Sequence, residues 1–78
     1  MSTPEYVNSL SEKTLNGLYD NLNLELQSGN ITRDELGAIF IKIGTDIGGT
    51  LINMYGRDTY QYFMDCMREH ANAIDKLN

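Results

Sequence analysis

The sequence predicts an all-α protein of three helices, and three observations carry that reading. Apolar residues recur at intervals of three and four in each of three segments. Those segments begin on helix-starting residues, and glycine stands at both junctions between them. The third observation is size, because 78 residues allow one domain over positions 1–78 with a small core. The predicted architecture pairs the second and third helices as an antiparallel hairpin around Gly56. The first helix covers that hairpin, in its own chain or in a dimer.

The first segment opens on Thr3-Pro4-Glu5, a cap, a proline at the first helical position and an acid in the first turn. A second start lies at Ser9 to Glu12, which has capping-box spacing. Leu15, Leu18, Leu22 and Leu26 then share one helical face. Gln27-Ser28-Gly29-Asn30 ends the run with turn-forming residues. This predicts a helix from about residue 9 to 27, with one loose turn ahead of it.

The second segment has the sharpest local signal. Thr32 and Glu35 form a capping box, and Ile31 and Leu36 stand at staple positions. Leu36, Ile39, Phe40, Ile43, Ile47, Leu51 and Met54 keep the helical spacing from there to Gly56. Against it stand Gly44, Gly48 and Gly49, each costing a helix interior about 1 kcal/mol relative to alanine. The run Ile39 to Ile43 is also good strand material, so an α+β fold with a β-hairpin over 38–54 is the competing architecture. In the third segment Asp58 and Gln61 offer another N-terminal box. Tyr60, Phe63, Met64, Met67, Ala71, Ile74 and Leu77 then draw an apolar stripe.

Charge and processing signals narrow the function classes. Six Lys and Arg against eleven Asp and Glu leave a net charge of -5, which disfavours nucleic-acid phosphates and anionic membranes as partners. Cys66, the one cysteine, cannot form an internal disulfide, and the N-terminal residues resemble no signal peptide. A cytoplasmic protein is the expectation. Five tyrosines suit either the rim of a small core or an oligomer interface.

Three motifs suggest chemistry. Ile43 to Thr50, with Gly44, Asp46, Gly48, Gly49 and Thr50, resembles the phosphate-1 signature of sugar kinases in the actin-like ATPase superfamily. The resemblance implies ATP phosphates held against the glycine backbone and an aspartate near the metal. That fold spans hundreds of residues, whereas 28 follow Thr50 here, so no such domain is expected. In the helical reading the glycines permit close helix approach instead. Gly29 to Glu35 resembles the back half of an EF-hand loop. The front half places Leu24, Leu26 and Ser28 where calcium requires oxygen ligands. Cys66 and His70 lie one turn apart but supply two of about four zinc ligands, so a metal would need a second chain. No catalytic set, resident metal or cofactor is expected, and enzyme activity is not.

Asp58, Tyr62, Asp65 and Glu69 follow at spacings of four, three and four, opposite much of the apolar stripe. An exposed tyrosine in an acidic row suits docking to a basic protein surface. The chain resembles, in type, the small acidic antagonists encoded by bacteriophages and mobile elements. The reading is therefore a non-enzymatic inhibitor or adaptor that occludes a basic surface of a larger protein machine. A homo-oligomer, with a dimer favoured, is also expected. Two alternatives accompany it: an oligomer that sequesters a nucleotide at Gly44–Thr50, and a structural homo-oligomer subunit.

Overall fold

The computed structural model describes residues 3–77, which form α1 (Pro4–Gln27), α2 (Arg33–Tyr55) and α3 (Arg57–Leu77). The three-helix, all-α prediction holds, and no strand occurs among the described residues. The β-hairpin over 38–54 is therefore replaced by helix. A two-stranded hairpin is marginal on its own in water, and no third strand is present among the described residues to pair with it. Helix satisfies the same amides locally, and the threonines adapt to it. Thr45 Oγ1 donates to the Ile41 carbonyl at 2.8 Å, and Thr50 Oγ1 to that of Asp46 at 3.0 Å.

α1 begins five residues earlier than the spacing predicts. Thr3 is extended, and its hydroxyl oxygen accepts the Tyr6 N–H at 3.1 Å, while Pro4 supplies the helical φ at a position needing no donor. With that cap complete, the Ser9–Glu12 box falls inside the helix and has no terminus to serve. Ser11 and Thr14 instead donate to the carbonyls of Val7 and Leu10, each at 2.8 Å. The helix ends as its sequence predicts. Gly29 takes φ 79°, and the Asn30 N–H reaches back to the Glu25 carbonyl at 3.0 Å. The Asn30 side-chain amide also donates to Glu25 Oε2 at 3.0 Å.

The box at the start of α2 forms in full. The Thr32 N–H donates to Glu35 Oε1 at 2.9 Å, and the Glu35 N–H donates to Thr32 Oγ1 at 3.2 Å. Gly56 alone separates α2 from α3. Its φ of 90° reverses the chain, its N–H donates to the Ile52 carbonyl at 2.9 Å, and its own carbonyl accepts from Tyr60 at 3.4 Å. That arrangement starts α3 at Arg57, so the Asp58–Gln61 box does not form. Gln61 Nε2 donates to Asp65 Oδ1 at 3.1 Å instead.

The chain groups into two compact units, one ending at Ile39 and the other starting at Phe40. In the first, Leu22 is buried, while Leu18, Leu26, Ile31, Leu36 and Ile39 are half-buried. In the second, Gly48 of α2 is buried against α3. A Cβ at position 48 would lie 3.1 Å from Tyr60 Cε2 and 4.0 Å from Phe63 Cε2, so the absence of a side chain lets the aromatic rings rest on the α2 backbone.

Candidate interaction faces

The second unit presents two contrasting faces. α3 carries Asp58, Tyr62, Asp65 and Glu69 on one side, because spacings of four, three and four return to the same azimuth of a 3.6-residue helix. Tyr62 is 70% exposed, a large ring turned outward. Asp65 is the anchored member of the row. It accepts from Gln61 and from Arg68 Nη1, the latter at 3.5 Å. That Arg68–Asp65 pair is solvent-exposed and adds little stability, but it sets the position of the carboxylate. Tyr62 is linked to the next turn. A side-chain hydrogen bond with Cys66, the charge of that group, slight desolvation and Glu69 together raise the phenol above its ordinary value of 10.0. It is therefore protonated and a hydrogen-bond donor throughout the neutral range.

The five residues singled out for nucleotide binding do not converge. Gly44, Gly48 and Gly49 line a groove between α2 and α3, whereas Asp46 and Thr50 line a different hollow of about 290 Å³ with Ile43, Ile47 and Leu51. All five lie within α2, where backbone N–H groups point along the helix axis and bond to carbonyls four residues back. A phosphate cradle needs successive N–H groups turned outward from a loop or a helix start, and this segment offers neither. The resemblance to the phosphate-1 signature is thus one of residue order without its backbone geometry.

The groove itself was not anticipated. It has a volume of about 470 Å³ and is lined by Ile41, Ile52, Phe63, Met64 and Met67 around the glycines. The available signal was Ile41, an isoleucine displaced from the main α2 stripe and 72% exposed. No charged side chain lines the groove. It has the size of a small-molecule pocket but lacks the convergent polar groups that fix a ligand's orientation.

Cys66 is exposed. Among the described residues no group of three or more His, Cys, Asp and Glu side chains is placed to hold a metal ion. Nor, among them, is any helix long and apolar enough to cross a membrane. Compared with protein-family models, curated proteins and solved structures, the chain matches none.

Proposed function

We propose that this protein is a non-enzymatic interaction module that binds and occludes a basic surface of a larger protein, in the manner of small phage or mobile-element antagonists. The observation that carries the reading is the outer face of α3, where three carboxylates surround an outward-turned tyrosine in a chain of net charge -5. Aromatic anchors supply binding energy at protein interfaces, while rim charges set the rate of encounter and the choice of partner. The protonated phenol of Tyr62 adds a donor among acceptors.

The test is affinity capture from a host lysate with the native chain and with a variant carrying Asp58→Lys, Asp65→Lys and Glu69→Lys. The native chain is expected to retain a basic partner at low salt and release it as ionic strength rises. The reversed variant is expected to retain about tenfold less, since its rim now repels the same surface. Equal retention by both would show that this face is not the one used.

A further inference from the structure

We propose that Asn16-Gly17 is a deamidation site, gated by opening of the N-terminal half of α1, whose isoaspartate product interrupts that helix.

The dipeptide selects the chemistry. Asn16 is the one asparagine followed by glycine; where another asparagine has a successor, it is Ser, Leu, Ile, Met or Ala. The attacking group is the backbone nitrogen of the next residue, and a Cβ on that residue obstructs its approach to the side chain. Gly17 has no Cβ, and one added there would meet nothing within 4 Å, while Asn16 itself is exposed. The reaction balances with water as its only co-reactant. The Gly17 amide gives its proton to solvent base, its nitrogen bonds to Asn16 Cγ, and the side-chain nitrogen takes up a proton and leaves as ammonia. Water then opens the succinimide that results. Breaking the bond from Gly17 N to Cγ gives aspartate. Breaking the bond from Gly17 N to the backbone carbonyl carbon gives isoaspartate, whose main chain runs through Cβ and Cγ.

The fold supplies the gate. Gly17 lies inside α1, where its N–H points along the axis to the carbonyl four residues back. While that hydrogen bond stands, the nitrogen neither turns toward Asn16 Cγ nor gives up its proton. Packing does little to keep it closed. Within the first unit every residue from Thr3 to Gly17 is exposed, Tyr6, Val7, Leu10 and Leu15 included, and burial starts at Leu18 and Leu22. A helical arm held by propensity and one cap is marginal in water, and such segments open locally at small cost. Thr14, Asn16 and Gly17 are also weak helix formers. The most reactive peptide bond of α1 thus stands in its least covered half. Isoaspartate at position 16 adds a main-chain atom and a negative charge, which breaks the hydrogen-bond ladder between the arm and the packed half beyond Leu18. None of this depends on what Asp58, Tyr62, Asp65 and Glu69 bind.

The test incubates the full chain for several days in neutral buffer, with and without denaturing urea, and follows each asparagine by peptide mass spectrometry. Asn16 is expected to convert first in both samples, about tenfold or more slowly in the folded chain, because only the open fraction reacts. Thr14→Ala leaves the reacting pair intact and strengthens the turn that must open. It is expected to slow the folded chain about threefold and to leave the rate in urea unchanged. The isoaspartate form, separated from the native chain, is expected to show lower helicity by circular dichroism. No conversion at Asn16 in the folded chain, while the urea sample reacts, would overturn the proposal. So would equal rates with and without urea, a folded rate insensitive to Thr14→Ala, faster conversion at another asparagine, or an isoaspartate form of undiminished helicity.

Discussion

Gly17 in the first unit and Gly48 in the second occupy equivalent places, each deep inside a long helix, yet their surroundings differ. Around Gly17 nothing would meet an added Cβ, whereas at Gly48 the Tyr60 ring already stands 3.1 Å from where that atom would be. One glycine weakens its helix without return, and the other lets two helices meet. The two units are accordingly held by different means. The first relies on its ends, with the Thr3 cap, the Gly29 reversal and the Thr32–Glu35 box, together with Leu22 as its buried side chain. The second has a one-residue link and relies on aromatic rings laid against a bare stretch of backbone.

Four substitutions sharpen that contrast, each followed by urea unfolding at fixed protein concentration. Gly48→Leu forces a branched side chain into the Tyr60–Phe63 contact and is expected to destabilise the fold by about 2 kcal/mol. An unchanged midpoint would show that the rings move aside freely and that the close approach is not what holds the second unit. Thr32→Ala removes one half of the α2 box and is expected to cost about 1 kcal/mol. Glu35→Gln keeps an acceptor for the Thr32 N–H and serves as its milder partner. The smallest effect carries the opposite sign. Gly17→Ala is expected to stabilise the protein by about 0.5–1 kcal/mol, because the methyl enters open space and the unfolded chain loses freedom. A loss of stability there would mean that the α1 surface at Gly17 is covered.

These differences mark what could be read in advance. The α2 box was legible because both of its hydrogen bonds join residues three apart, so four residues specify it. The alignment of Asp58, Tyr62, Asp65 and Glu69 was legible too, since it needs α3 to be helical and nothing more. The start of α1 was misplaced because two cap patterns, Thr3-Pro4 and Ser9–Glu12, lie within one continuous helical stretch. Local chemistry allows either one, and the outer cap makes the inner redundant. The Asp58–Gln61 box failed for a similar reason. Gly56 starts α3 two residues sooner, and Gln61 finds Asp65 one turn ahead. The groove was missed because it is built from two helices, and no window of the sequence contains both walls.

The acidic row and the groove also differ in what each offers a partner. The row offers charge at long range with a single aromatic anchor. The groove is uncharged and acts only on contact, through apolar area removed from water. The two faces therefore differ in the range over which each acts.

The sequence by itself determined the helical class, the three segments, the Gly29 and Gly56 reversals and the acidic face of α3. Each of these depends on residues within about one or two turns of each other, where backbone preference and capping act. Only the tertiary structure decided among the glycines. Gly48 is closed by Tyr60 and Phe63, whereas Gly44 and Gly49 stay open beside an exposed Ile41. All three cost the helix the same conformational freedom, so propensity cannot tell them apart. The difference lies in which side chains of α3 arrive at each one, and that is set by how two helices pack.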